Sequence, residues 1–97
     1  MKTISLINDF SPVPGGRYRW QGEFSGEEFR DDFLSPPLNN GESIVVDLNG
    51  AVGLPSSFID EAFGPLASFV RTGMLKIVLS DNDQAIYNLN ETLRVAA

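Results

Sequence analysis

The chain contains neither cysteine nor histidine. Without them it cannot form a disulfide, a thiolate nucleophile, a Cys/His zinc site or a serine-histidine-aspartate relay. Basic side chains are also few, seven Lys and Arg against thirteen Asp and Glu, for a formal net charge of −6. Phosphate contacts dominate nucleic-acid affinity and need a basic surface, so a nucleic-acid partner is not expected. No apolar run approaches the ~20 residues that cross a bilayer, and the start Met1-Lys2-Thr3-Ile4 lacks a secretory pattern. The expectation is a cytoplasmic protein with no membrane segment. What the chain does have, 42% hydrophobic and 21% charged residues over 97 positions, suits one globular domain covering residues 1–97.

The most informative stretch runs from Ile44-Val45-Val46-Asp47-Leu48 to Gly64. A short Val/Ile run suits a buried strand, and Gly50 and Gly53 then allow a tight crossing into a helix that opens at Ser56-Ser57. Along that helix Ile59, Ala62, Phe63, Leu66, Ala67 and Val70 recur at three and four, the spacing of a face pressed on a sheet. Gly64-Pro65 inside it predicts a kink or restart, and Gly73 closes it ahead of a further strand at Leu75–Leu79.

Elsewhere, Thr3–Ile7 alternates as a strand does, and Arg17–Gln21 predicts a second, antiparallel edge strand with Tyr18 and Trp20 on its core face. Ser25-Gly26-Glu27-Glu28 matches a capping box, Phe29 and Phe33 supply the next helix with a buried stripe, and Ser35-Pro36-Pro37 is expected to end it. Ser80–Asp83 offers caps for a last helix with Ile86, Leu89 and Leu93 on its core side. The expected fold is a single α/β domain with a mixed sheet of about four strands and helices packed mainly on one side.

Several groups of residues invite a chemical reading. Ser56 and Ser57 stand at the positive end of a helix, where one of them would ordinarily cap; the sharper reading is a phosphorylatable hydroxyl. Asp60 and Glu61, placed in the first turn, would complement the helix dipole. Pro14-Gly15-Gly16-Arg17 admits a phosphate cradle, against the plainer reading of a tight turn between edge strands. Asp47, Asp60 and Glu61 could gather as a magnesium-binding hydrolytic cluster, but Asp47 serving loop N–H groups is the preferred reading. Arg30 is assigned to Glu27 or to acids near the central strand. No catalytic residue, metal or cofactor is expected.

A hydrophobic strand ending in Asp47-Leu48, a glycine-bearing turn and the Ser56-Ser57 pair resemble the STAS domain of sulfate transporters and anti-sigma factor antagonists. Phe10-Ser11, Pro14–Arg17, Gly22, Ser25-Gly26-Glu27, Phe29-Arg30, Val46–Leu48, Ser56–Phe58 and Glu61–Gly64 are similar to the bacterial STAS-like relatives of unknown function, over nearly the whole chain. In the antagonists an ATP-binding partner phosphorylates the second serine of an Asp-Ser-Ser-Gly motif. The resemblance puts that role on Ser57, with Pro55 in place of the aspartate and Phe58 in place of the glycine. It implies a non-enzymatic regulatory module and a protein partner of the anti-sigma or histidine-kinase kind. Gly15, Gly16, Arg17, Arg30, Asp47 and Phe58 are the candidate contacts beside Ser56 and Ser57. The competing readings are a small-anion or nucleotide sensor using the Pro14–Arg17 turn and the helix tip, and a homo-oligomer formed through an exposed edge strand.

Overall fold

The computed structural model describes residues 1–96. Three strands make one parallel sheet in chain order: β1 is Lys2–Ser5, β2 is Ile44–Asp47 and β3 is Leu75–Val78. In this order both crossovers step the same way across the sheet, so right-handed crossovers lay the intervening helices on one face. Burial agrees with that geometry. Ile4, Ile44, Val46 and Leu75 are buried on the covered face, while Thr3, Lys76 and Val78 on the other are exposed. Helices packed on one side are therefore as expected, but the sheet is wholly parallel rather than mixed, with three strands rather than about four.

The missing strand is Arg17–Gln21. Its backbone donors are satisfied locally by side chains instead of by a ladder. Gln21 Oε1 accepts from the N–H of Arg17 at 3.1 Å and of Tyr18 at 2.9 Å, and Glu27 Oε1 accepts from the Arg19 N–H at 2.9 Å. Arg19–Gln21 closes into a 3-10 turn. Tyr18 and Trp20 do share a side and stack, with centroids 6.2 Å apart, but they point outward: Trp20 is 80% exposed. The strand expected over Thr3–Ile7 stops at Ser5, where Asp9 Oδ2 accepts the Ser5 N–H at 2.8 Å and Leu6–Phe10 forms a single π turn.

Ser25 caps α1, Gly26–Phe29, by accepting the Glu28 N–H at 3.1 Å. The glutamate's return arm reaches Phe24 N–H at 3.2 Å, one residue before the cap. A π turn at Arg30–Leu34 then leads into α2, Ser35–Asn39. Pro36 and Pro37, expected to end the helix, instead occupy the first turn of this new segment, where a missing N–H costs nothing.

The long helical region is α3, Ser56–Phe63, a 3-10 turn at Gly64–Leu66, and α4, Ala67–Arg71. The restart falls at Gly64-Pro65 as expected, and Gly73, at φ +82°, ends the region. Asn82 Oδ1 accepts the Ala85 N–H at 3.0 Å and opens α5, Asp83–Ala96. Its buried stripe is Ala85, Leu89 and Thr92, with Ile86 and Leu93 only half-buried. The expected stripe is turned because α5 packs beside α3, where Thr92 Oγ1 lies 3.4 Å from Asp60 Oδ1.

Phe29, Phe58 and Phe63 fill the core between α1, α3 and the sheet. Phe29 stacks on Phe58 at 5.9 Å, and Phe10 closes the cluster at 4.9 Å from Phe29. Helices α1 and α3 meet backbone to backbone: a Cβ at Gly26 would lie 2.5 Å from the Phe58 carbonyl oxygen.

Candidate functional site at the α3 tip

The loop leaving β2 is tied down before it reaches α3. Asp47 Oδ1 accepts the Asn49 N–H at 2.9 Å, the loop-serving role preferred for it. Asn49 Oδ1 accepts the Ser80 N–H at 2.8 Å, and Asp81 Oδ2 accepts the Gly50 N–H at 2.8 Å. These two cross-links join the loops after β2 and β3, and Gly50, at φ +90°, supplies the turn between them. Sequence reasoning missed them; Asn-Gly with Ser-Asp some thirty residues on was the signal it could have used. The chain then passes buried Leu54 and arrives at Pro55.

Pro55 holds the cap position of α3, with φ −60° and ψ 144°, and has no side chain that can cap. Ser56 and Ser57 are the first two helical residues, Ser56 exposed and Ser57 half-buried. Neither serine caps the helix, contrary to the ordinary expectation, and neither hydroxyl hydrogen-bonds to another described residue. A capping side chain must come from the non-helical residue before the first turn, and proline's fixed φ has taken that place. Asp60 and Glu61 lie in the second turn rather than the first.

Two arginines converge on those carboxylates. Arg17 Nη1 donates to Asp60 Oδ2 at 2.5 Å and lies 3.7 Å from Glu61 Oε1. Arg30 Nη1 donates to Glu61 Oε2 at 2.7 Å and to the Glu61 carbonyl at 2.6 Å, while its Nε meets Asp31 at 3.2 Å. Arg30 therefore pairs with Glu61 and Asp31, not with Glu27. The hydrogen bond to Asp60 is the main reason the Arg17 guanidinium holds its proton above the ordinary arginine value. For Arg30, burial pulls the other way, but the Glu61 hydrogen bond and the Asp31 charge outweigh it. At 15% and 17% exposure, the Arg30 and Glu61 side chains form the most enclosed ion pair among the described residues.

The remaining candidates divide sharply. Gly15 N–H donates to Phe24 O at 2.7 Å, and the Gly16 and Arg17 carbonyls accept from Gly26 and Glu27 N–H at 2.9 and 3.0 Å. This turn lies against the start of α1, not between edge strands. With the Gly15 and Arg17 N–H groups both engaged, it is not a nest of free donors. Gly15 is there for space, since a Cβ would collide with the Glu23 carbonyl oxygen. Phe58, a candidate contact, is fully buried and belongs to the core. Asp47, Asp60 and Glu61 do not gather into a metal-binding cluster: the first serves its own loop and the other two are held by arginines. Among the described residues, no group of three or more acidic side chains is arranged to hold a metal ion.

The geometry thus concentrates on one stretch, from the Ser25 cap through β2 and the serine tip to the end of α4, and that stretch is also where a family match falls. Residues 25–71 match the family model of the STAS-like domain of unknown function (DUF4325). The STAS-like match includes Arg30, Asp47, Ser56, Ser57 and Phe58 and stops short of Gly15, Gly16 and Arg17. It is shorter than the nearly full-length resemblance expected, leaving β1, the 12–24 loop, β3 and α5 outside the STAS-like segment. No curated protein and no solved structure matches the chain significantly. No described helix is long and apolar enough to cross a membrane.

Proposed function

We propose that this chain is a non-enzymatic protein-interaction module whose working surface is the tip of α3, with Ser57 as the switch. The partner is an ATP-binding protein of the anti-sigma or histidine-kinase kind. The observation that carries this reading is the pair of uncommitted hydroxyls at the first two positions of α3. A serine that caps its helix is withdrawn into a hydrogen bond; these are not. The STAS-like match over the same stretch supports it.

A phosphate on Ser57 would add nearly two negative charges one turn before Asp60 and Glu61, on the side of the helix those carboxylates share at spacings of three and four. Arg17 is held on that side by Asp60. Phosphorylation would compete for it, loosening the 12–24 loop that carries Tyr18 and Trp20. The small-anion or nucleotide sensor is less favoured, because the Pro14–Arg17 turn has its Gly15 and Arg17 donors engaged.

The test is binding by the immobilised protein in three forms: wild type, Ser57→Ala and Ser57→Asp. An ATP-binding protein of kinase fold should bind the first two alike and the third at least about tenfold more weakly, given the charge placed at the contact. Equal binding to all three would contradict the reading.

A further inference from the structure

We infer that the outer edge of β1 docks an extended peptide of a partner protein, which adds antiparallel as a fourth strand and seats an apolar side chain in the cleft beside Phe33. The site shares no residue with the α3 tip. Strand β1 has one neighbour, β2, so its other side is an edge of the sheet. Two hydrogen bonds fix which residues look outward there. Lys2 N–H donates to Ser43 O at 3.0 Å, toward β2, while Ser5 N–H turns the other way, to Asp9 Oδ2 at 2.8 Å. Backbone groups alternate sides along a strand, so Ile4 faces β2 with Lys2, and Thr3 turns its N–H and C=O to the edge with Ser5. Thr3 is exposed, and an open cleft of about 270 Å³ lies against it, lined by Lys2, Thr3, Ile4, Asp9 and Phe33. The β3 edge offers nothing comparable, because Leu75 is buried there.

The cleft's size and its backbone groups suit main chain with one side chain. Its volume is below the roughly 300–1,000 Å³ of pockets that take a whole small molecule, and half-buried Phe33 gives it an apolar wall. The Thr3 N–H and C=O point the same way, as in a hydrogen-bonded antiparallel pair, so the peptide residue opposite Thr3 answers both with its own backbone. Antiparallel pairing is also the more stable per residue. The side chains on either side of that peptide residue then fall on the covered face, level with Ile4 and Phe33.

Charge sets the sequence of the peptide. Lys2 and Asp9 make no ion pair with a described residue. They flank Thr3, Lys2 before it and Asp9 after it through the bond to Ser5. In an antiparallel peptide the residue preceding the one opposite Thr3 lies by Ile4 and Phe33, and the residue following lies by Lys2. From its amino end the peptide therefore reads basic, apolar, any, acidic. The basic side chain meets the second oxygen of Asp9, the apolar one enters the cleft and the acidic one meets Lys2. Asp9 also limits the added strand, since it already occupies the Ser5 N–H.

NMR titration of the isotope-labelled protein with the end-blocked peptide Thr-Arg-Leu-Thr-Glu-Thr tests this. The Thr3 amide should shift saturably as peptide rises to millimolar concentration and should exchange more slowly with solvent. The same peptide N-methylated at the threonine between leucine and glutamate has no N–H for the Thr3 carbonyl and should lose this response. Lys2→Glu changes an exposed side chain and leaves the Lys2 backbone bond intact, as an unchanged circular dichroism spectrum should verify. It should weaken binding about three- to tenfold, and replacing the peptide's glutamate with lysine should restore it. A wild-type Thr3 amide that does not respond would overturn the proposal. So would an N-methylated peptide that binds as tightly, or a Lys2→Glu protein that binds without loss. A Thr3 shift that grows with protein concentration alone would give this edge to a second copy and overturn it as well.

Discussion

Gly26 and Phe58 show how far a residue's surroundings can differ from what its neighbours in sequence suggest. Gly26 comes after a serine cap and looks like an ordinary first-turn residue, yet its missing side chain lets α1 lie against the Phe58 carbonyl. Phe58 comes after two serines at a helix tip and looks like a surface contact, yet it is fully buried against Phe29. Gly26→Ala should lower unfolding free energy by about 1–3 kcal/mol through overpacking. Phe58→Ala should cost about 3–5 kcal/mol through the cavity it leaves. Both are read by urea denaturation; a Phe58→Ala protein as stable as wild type would return that side chain to the surface. The position of the two serines at the helix start is legible in the sequence. Their hydrogen-bonding state is not, because whether a serine caps depends on which residue the helix takes as its first, and Pro55 decides that.

Among the elements, those legible in the sequence are specified by local chemistry: the Ser25 cap, the Gly64-Pro65 restart, the Gly73 stop and the Asn82 start of α5. Those that differ from expectation are decided by side-chain contacts that the local pattern does not encode. Arg17–Gln21 alternates as a strand should, but Glu27 and Gln21 supply side-chain acceptors that close it into a turn. In α5 the buried stripe is set by contact with α3, which periodicity alone cannot orient. The end of α5 offers a pH test. Arg94 hydrogen-bonds Glu91 at 2.6 Å and holds its carboxyl below the ordinary glutamate value. A lowered value means the pair's small contribution is present above the ordinary glutamate range and is lost as pH falls through the lowered value. An NMR titration should show Glu91 titrating low in wild type and returning to the ordinary range in Arg94→Gln; no change between them would remove the pair.

At the scale of the whole molecule, three parallel strands in chain order put the helices on one face and leave the other open. The α/β class and the one-sided helices are legible in the sequence because β2, α3 and β3 carry strong periodic patterns. Strand number is not, since it depends on the fate of one short alternating segment. The candidate site is half legible: the Ser56-Ser57 tip and the two arginines appear in the sequence, whereas the Asp60 and Glu61 anchors that bring Arg17 and Arg30 to α3 appear only once the chain is folded.

The functional proposal rests most on Ser57 being the residue a partner modifies. Incubation of the protein with the proposed ATP-binding partner and ATP under turnover, with mass-spectrometric mapping of phosphate, tests this directly. The expected result is phosphate on Ser57, abolished in Ser57→Ala and retained in Ser56→Ala. A partner that binds and hydrolyses ATP yet leaves Ser57 unmodified would contradict it.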